Sequence, residues 1–471
     1  MTFKPVFLWT DALLFLLLAL VLAFVWHARR HEHLRAPWRE VVRGRIAVAS
    51  MVVLAAFTLL GLLDSLHYRP ALAAQDGQAE VQYAGEVRSL LDDLLQGMGE
   101  RVEKTYSAPF AWTLYSKETV IGGDGIARRV YPRLKHGGAH LDDPAAQRAD
   151  DLKKRALTAL GQSLALVAAI GWLLAWRLAR RHGGAVWQAA GRLLRGGYEI
   201  PWRTALFTLW LLLLLGLLIA QLGAVWHVMG TDKVGRDVLY QSIKSIRTGL
   251  VIGTLTTLVM LPFAVALGMM AGFFRGWVDD VIQYLYTTLN SIPGVLLIAA
   301  AVLMMQVYID THPELFETMA ERADLRLLFL CLILGITSWT GLCRLLRGET
   351  LKLRELDYIQ AAEAFGVHKA VILMRHLLPN LMHLVLIAVV LDFSGLVLAE
   401  AVLSYVGVGV DPTTLSWGNM INRARLEMAR EPMVWWSLAA AFGFMFTLVL
   451  AANLFSDAVR DAFDPRLRNR T

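Results

Sequence analysis

The stretch "YIQAAEAFGVHKAVILMRHLLPN", residues 358–380, lies between two long apolar segments, "LRLLFLCLILGITSWTGLCRLL" (325–346) and "LMHLVLIAVVLDFSGLVLAEAVL" (381–403). Its neighbours decide the fold class. A helix crosses the hydrocarbon of a bilayer with about 20 mostly apolar residues. About nine such runs occur in the 471 residues, near 11–26, 46–63, 157–176, 204–224, 250–272, 281–307, 327–346, 381–405 and 434–455. They are too long and too poor in charge to be β-barrel strands, which run to about 10 residues and alternate. Composition agrees, at 56% hydrophobic and 18% charged, against about 45–50% and 25% in a soluble domain. Mean hydropathy is +0.49. The reading is an all-α polytopic membrane protein.

The net charge of +7 serves orientation more than ligand binding, because Lys and Arg collect in cytoplasmic loops. The loop 27–45 carries Arg29, Arg30, Arg35, Arg39, Arg43 and Arg45; the loop 177–203 carries Arg177, Arg180, Arg181, Arg192, Arg195 and Arg203. Arg460, Arg466, Arg468 and Arg470 lie in the tail, whereas 308–326 holds Asp310, Glu314, Glu317, Glu321 and Asp324. Alternation through nine spans then puts the N-terminus outside and the C-terminus inside, with Tyr358–Asn380 on the cytoplasmic side. The first apolar run resembles a signal sequence, but Arg29 and Arg30 follow its core and no small-residue cleavage site is evident, so it reads as a retained helix. Cys331 and Cys343 have no spacing typical of a disulfide or zinc site. The long external segment 64–155 contains "EVRSLLDDLLQGMGERVEK", in which Val87, Leu90, Leu91, Leu94, Leu95 and Met98 follow helical spacing. It reads as a small loop domain.

Within the opening stretch, Ile359, Ala362 and Phe365 recur every third residue, with Gln360 and Glu363 off that line. This is a short amphipathic helix, ended by Gly366, since glycine tolerates the left-handed conformation at a helix end. A second pattern follows, with Val371, Met374 and Leu378 on one face and His368, Lys369 and Arg375 elsewhere, and Pro379 punctuates before the next span. Helix, glycine turn, helix on the cytoplasmic face fits two roles. One is an amphipathic helix lying on lipid; the other is a docking helix for a soluble partner.

These residues resemble the EAA loop of ABC-importer permeases, which reads Glu-Ala-Ala, three residues, Gly, then a spacer ending in Leu-Pro. Here the positions are Gln360, Ala361, Ala362, Gly366, Leu378 and Pro379, with Gln in place of the first Glu and Glu363 one turn on. The resemblance extends in register. "GTDKVGRDVLYQSIKSIRTGLVIG" (230–253) is similar to the GTDxxGRD signature of the dipeptide/oligopeptide branch. So are "AGFFRGWVDD" (271–280), "SIPGVLL" (291–297), "EAVLSYVGVGVDPTTLSWGNM" (400–420) and "LFSDAVRDAFDPR" (454–466). The likeness covers roughly 230–466. It implies a six-helix permease core over 204–471 with a coupling loop at 347–380, preceded by an extension over 1–203 of about three spans and the external loop. It also implies a second permease subunit, two ABC ATPases that hold ATP and Mg, a periplasmic or lipid-anchored substrate-binding protein, and a bacterial inner (cytoplasmic) membrane.

The chain has no G-x-x-x-x-G-K-[ST] to cradle phosphate, no HExxH, no nucleophile elbow and no metal-spaced His/Cys cluster. No cofactor is expected in this chain, and it reads as a transport subunit, not an enzyme. The resemblance assigns ATPase coupling to Gln360, Ala361, Ala362, Glu363, Gly366, Leu378 and Pro379. In the GTD motif, Asp232, Arg236 and Asp237 read either as a charge network fixing a loop or as a contact for the binding protein, with Gly230 and Gly235 permitting the turns. Asn290, Pro293 and Asp392 are candidates for the translocation path. Pro293 reads as a kink inside a span. Asp392, deep in a span, faces either the path or a pairing partner such as His383. Glu400 reads as structurally paired. The substrate class implied is peptides or similar small solutes. The rival reading is a secondary transporter or channel acting without an ATPase, which paired broken helices in two inverted halves would favour; no internal repeat is evident.

Overall fold

The computed structural model describes residues 3–30, 32–72, 83–121, 127–316 and 318–463. Glu317, the tail arginines Arg466, Arg468 and Arg470, and the end of the 454–466 motif lie outside the described residues. In chain order the helices are α1 (Trp9–Arg30), α2 (Glu32–Arg43), α3 (Arg45–Asp64), the short α4 (Leu90–Leu94) and α5 (Gln96–Gly99), α6 (Pro144–His182), α7 (Val186–Arg195) and α8 (Trp202–Gly223). Then follow α9 (Val238–Phe274), α10 (Gly276–Ser291), α11 (Gly294–Thr311), α12 (Met319–Ser338), α13 (Thr340–Arg354), α14 (Asp357–Ala364), α15 (Lys369–Val371), α16 (Leu378–Val406), α17 (Trp417–Met428) and α18 (Trp436–Phe463). Five short strands complete the described chain. β1 (Phe3–Val6), β2 (His67–Pro70) and β3 (Arg88–Ser89) form a sheet in that order. β4 (Glu118–Ile121) and β5 (Ala127–Val130) form an antiparallel hairpin with Glu118 opposite Val130.

Among the described residues, eight helical segments are long and apolar enough to cross a membrane. The ninth run of the sequence reading is helical in α1, but its apolar part, Trp9–Ala23, is shorter than the others. The run expected over 281–307 is broken instead of kinked. α10 stops at Ser291, Ile292 is extended (φ −90°, ψ 131°), and Pro293 is the N-cap of α11. The cause is local: a residue before proline is pushed out of the helical region by the ring. At the other proline, Pro379, the helix continues. A π-helical turn over Ile372–Leu377 leads into α16, which carries Pro379 in its first turn. The π-helical turn just before the proline accommodates its ring and missing donor without breaking the helix.

By contact the chain forms two compact units. The first comprises Met1–Pro5, Arg39–Thr248 and Leu415–Leu454. Here α6 packs on α7 and α8, and α3 packs on α8. α6 begins with Pro144 after an Asp143 cap that accepts the Ala145 N–H at 3.1 Å. At 1.5 Å per residue its 39 residues span about 58 Å, well beyond the roughly 30 Å of hydrocarbon. The loop domain between α3 and α6 is less helical than its periodicity implied. Ser89 starts α4 through a capping box with Asp92, but Leu95 separates α4 from α5. Leu91 and Met98 are buried, while Leu90 and Leu94 are exposed.

The second unit comprises Val6–Trp38, Gly249–Thr414 and Phe455–Thr471. Its members α11 and α12 pack together, and α1 packs on α12. The Thr10 N–H donates to Asp324 at 3.1 Å, its hydroxyl donates to the same carboxylate, and Leu13 packs against the cluster of Val251, Leu255, Leu327 and Leu330. The sequence left the first core helix between 204–224 and 46–63. Both of those, as α8 and α3, belong to the first unit, and α1 is the N-terminal helix in the second. The partition groups residues differently from a division at 203/204.

Half of the most apolar window of α9 is buried, the largest share among the candidate spans, against 6% for α8 and α11. Its C-terminal half meets α13 at Gly268 and Gly272. A Cβ at Gly272 would lie 2.6 Å from Thr350 Cβ and 2.8 Å from the Arg347 carbonyl oxygen; at Gly268 it would lie 2.9 Å from the Cys343 carbonyl oxygen. Two small residues four apart let helix backbones approach closely in a membrane. Gly272→Val is therefore expected to destabilise the purified chain by about 1–3 kcal/mol through overpacking, read as a lowered thermal unfolding midpoint in detergent. Gly443→Ala, where a Cβ meets nothing within 4 Å, should leave the midpoint unchanged; equal effects of the two would remove the close-packing account.

Candidate functional site

The segment between α13 and α16 is a V of two helices joined at Gly366. α14 ends in a Schellman motif: Val367 N–H donates to Ala362 O (3.1 Å) and Gly366 N–H to Glu363 O (3.0 Å). Gly366 has φ +73°, with open space around its Cα. His368 caps the return helix, its Nδ1 accepting the Ala370 N–H at 3.3 Å. The V is clasped on its inner side. Ile359, Ile372 and Leu377 are fully buried against Phe273 at the end of α9, and Asn380 Nδ2 donates to Tyr358 Oη at 3.1 Å.

The outer side is bare. Gln360, Ala361, Glu363, Gly366 and Pro379 are exposed, and Phe365, the last residue before the turn, is 85% exposed. Ala362 and Leu378 are half-buried against neighbouring clusters. The predicted apolar lines differ in register. Ile359 is buried but Phe365 points out, and in the return helix Ile372 and Leu377 are inside while Val371 and Met374 are exposed. In the return helix the π-helical turn adds a residue to the local repeat and brings Ile372 and Leu377 to one face; Phe365 lies past the end of α14, as its C-cap.

The elbow of α9 and α10 is fastened to α13, the helix that leads into the V. Arg347 holds Asp279 bidentately, Nε to Oδ1 at 2.6 Å and Nη2 to Oδ2 at 2.7 Å. That pairing, partly offset by burial, holds the Asp279 carboxyl below its ordinary range. Arg354 donates to Phe273 O at 2.8 Å, and Arg275 pairs with Glu355.

In the other unit, the GTD motif is a knot between the loop domain and the start of α9. Asp232 accepts the N–H groups of Val234 and Arg236, both at 2.9 Å, and the Gln241 side chain at 2.9 Å. Asp237 accepts the Tyr240 N–H at 3.0 Å and so starts α9. Its other oxygen meets His227 Nδ1 at 2.8 Å, and His227 Nε2 meets Glu103 at 3.3 Å. Glu103 also accepts the N–H groups of Lys135 (2.8 Å), His136 (2.8 Å) and Gly137 (3.1 Å).

Gly235, at φ +79°, passes against the Glu103 backbone so closely that a Cβ would overlap its carbonyl; Gly230 does the same against Ser107. Arg236 is exposed and is held through its backbone. Burial lowers the proton affinity of His227, but the two carboxylates outweigh it and raise the ring to about 9. Burial pushes Glu103 up, but His227 and the three N–H groups bring it down to about 2.

The path candidates lie in the second unit. Asn290 accepts from Thr340 Oγ1 at 3.1 Å near the end of α10. Pro293 sits at the break before α11. Asp392 is half-buried in α16, and His383 is turned to Asn380 O at 2.8 Å. Glu400 is buried and accepts from Ser404 Oγ at 2.7 Å.

Residues 264–469 match the family described as binding-protein-dependent transport system inner membrane component. The chain is 33% identical over 245 residues to the glutathione transport system permease protein GsiD of Pectobacterium atrosepticum, a match spanning 52% of this chain and 74% of that protein. The chain belongs to this permease family. It is also 28% identical over 243 residues to the oligopeptide transport system permease protein OppC of Mycobacterium tuberculosis, covering 52% of this chain and 77% of that one. To the dipeptide transport system permease protein DppC of Bacillus subtilis it is 27% identical over 242 residues, covering 51% and 69%.

As a binding-protein-dependent permease it is a membrane-spanning transport subunit of the ABC-importer class. Three features of this permease were not read from its sequence. Phe365 looked like part of the buried line. The pairing of Asp279 with Arg347 joins residues 68 apart. The Gly268–Gly272 contact carried a signal, G-x-x-x-G in an apolar run.

The charges on His227 and Glu103 set a pH window. The raised His227 favours the fold fully below its ordinary 6.5 and loses that contribution as pH climbs through about 9. The depressed Glu103 contributes fully above 4.5 and is lost as pH falls toward about 2. Proteolytic resistance of the loop domain in the purified permease should be greatest between those limits and fall by pH 9.5. His227→Gln should flatten the alkaline fall; an unchanged profile would show that the ring's charge does not fasten the knot.

Proposed function

We propose that this permease works with a second permease subunit, two ATP-hydrolysing subunits and a periplasmic or lipid-anchored binding protein to import peptides or similar small solutes across the bacterial cytoplasmic membrane. The observation that carries the reading is the V at 357–380, clasped on one side and bare on the other, with Phe365 at its tip. A large aromatic, exposed and rigidly presented, is the kind of anchor that fills a groove on a partner. ATP and Mg bind the partner ATPases in this reading, and none binds this chain.

The arginine-rich segments 27–45 and 177–203, the V and the C-terminus then face the cytoplasm, with the N-terminus and the loop domain on the other side. The relatives named for glutathione, oligopeptides and dipeptides support a peptide-like cargo. ATP closure of the ATPase pair drives the cycle by favouring one arrangement of the spans over the other, since only differential stabilisation can shift such an equilibrium. Gln360, Ala361, Ala362, Glu363, Gly366, Leu378 and Pro379 form or support the docking surface. Asn290, Pro293 and Asp392 line the path, with Asp392 facing a substrate ammonium group. The GTD residues Gly230, Asp232, Gly235, Arg236 and Asp237 act structurally, as the frame for the loop domain.

The test is extraction from the native membrane in mild detergent, with identification of what copurifies. Wild type should bring ATPase subunits and a second permease. Phe365→Ala should weaken ATPase retention by about tenfold or more, as loss of an interface anchor does, with unchanged thermal unfolding. Gly366→Val should do likewise, because a branched side chain in the left-handed region costs about 1–2 kcal/mol. If no ATPase accompanies the wild type under several gentle conditions, a transporter working without one takes its place.

The path assignment has a separate check in transport assays. Asp392→Asn should reduce uptake of peptides with a free amino terminus by about tenfold, the scale of one charge-assisted hydrogen bond. Unchanged uptake of every peptide tested would remove Asp392 from the path.

A further inference from the structure

The first unit carries a groove lined by none of the residues assigned above to coupling or to the path. It runs between α6 and α8 and is closed at one end by α7, with a volume of about 500 Å³ and walls that are almost wholly apolar. Trp172, Trp187, Leu194 and Phe207 line it, and all four are exposed, Trp187 at 77%. α7 sits across it as an amphipathic helix, with Ala189 and Leu193 buried and Trp187 and Leu194 turned outward. Trp187 is fixed by an edge-on contact with Trp172 at 5.2 Å.

The groove opens directly into a second hollow of about 740 Å³; Leu193, Leu194, Leu206 and Phe207 border both. This second hollow is polar and basic, ringed by Arg43, Arg45, Arg195 and Arg203 with Glu199 as its acid. Glu199 is already engaged, accepting from Arg39 at 2.6 Å and Arg43 at 3.2 Å. Arg45, Arg195 and Arg203 are exposed.

An apolar groove alone would fit many coverings. Here its end is marked by guanidiniums in excess of carboxylate, and two of its three walls, α6 and α8, are helices long and apolar enough to cross a membrane. Basic pockets at the ends of membrane helices hold anionic lipid head groups, and guanidinium forks match phosphate oxygens. We propose that this composite site holds one anionic diacyl phospholipid, with its chains along Trp172, Trp187, Leu194 and Phe207 and its phosphate among Arg45, Arg195 and Arg203. A helix of a partner protein would need an acidic end to satisfy the same arginines and is the alternative that the experiment separates.

The experiment uses the full chain purified in mild detergent with its native partners, depleted of lipid. It is titrated with phosphatidylglycerol or phosphatidylcholine of identical acyl chains, and bound lipid is read by native mass spectrometry. Wild type should retain one phosphatidylglycerol with at least tenfold preference. Arg45→Gln/Arg195→Gln/Arg203→Gln should bring the ratio near one with thermal unfolding unchanged, and Arg203→Gln alone should lower it in part. Trp187→Ala/Leu194→Ala should weaken both lipids alike. Equal binding of the two lipids by wild type, or a preference unchanged in the triple variant, would overturn the assignment. So would displacement of the lipid by millimolar inorganic phosphate, or efficient crosslinking of Trp187→Cys to a partner subunit's helix.

Discussion

In hydrocarbon every peptide N–H and C=O must find its partner inside the protein, because no water is there to supply one. This constraint makes the membrane part of the chain helical and confines irregular backbone to the helix ends. Pro293 and Pro379 follow it, whereas Pro262 lies inside α9, where the helix continues without the N–H that proline lacks. Ile292–Pro293 separates α10 from α11, so that the proline's missing donor falls where a helix is starting anyway. Pro379 instead follows directly on a π-helical turn, in a helix that continues. Two threonines inside α9 return their hydroxyls to the helix backbone, Thr254 to Leu250 O at 2.6 Å and Thr257 to Gly253 O at 2.7 Å. A buried hydroxyl without such a partner would carry a desolvation cost.

Outside the spans the same requirement is met differently. The loop domain has short strands and two short helices, too little regular structure to satisfy its own backbone. Carboxylates do that instead. Glu103 alone takes three successive N–H groups, and Asp232 takes two. His227 then joins Glu103 to Asp237, which caps α9. The GTD motif is thus an acceptor array before it is anything else. That explains why its two aspartates are buried while its arginine is exposed.

The spans were legible because a run of apolar residues as long as the bilayer is thick has few other fates. The V was legible because its glycine and its local periodicity lie within one stretch of chain. What escaped was set by distant partners. Nothing local distinguishes Phe365 from Ile359; only Phe273, Ile372 and Leu377 decide which of them is covered. Leu90 and Leu94 share helical spacing with Leu91 and Met98, yet only the latter pair meets a packed surface. Asp232, Arg236 and Asp237 read as a charge network fixing a loop, and Asp232 holds that loop through the backbone N–H groups of Val234 and Arg236. The two inner-helix glycines were readable as a motif, but the helix they approach was not.

The V can transmit force only if its clasp is stiffer than its attachment to whatever moves it. Three layers supply that stiffness. The buried Ile359, Ile372 and Leu377 lock the two legs to Phe273, and Arg354 ties α13 to the carbonyl of the same phenylalanine. Arg347 and Asp279, bidentate and largely shielded from water, fix α13 to α10. A bidentate fork resists rotation as well as separation. Behind these, Gly268 and Gly272 bring α9 against α13 at backbone distance, where neither helix can slide without a clash. These contacts tie the V, through Phe273 and α13, to α9 and α10. In the coupling role proposed for the V, the bare outer face would engage the partner and the packed inner face would pass its displacement to α9 and α13.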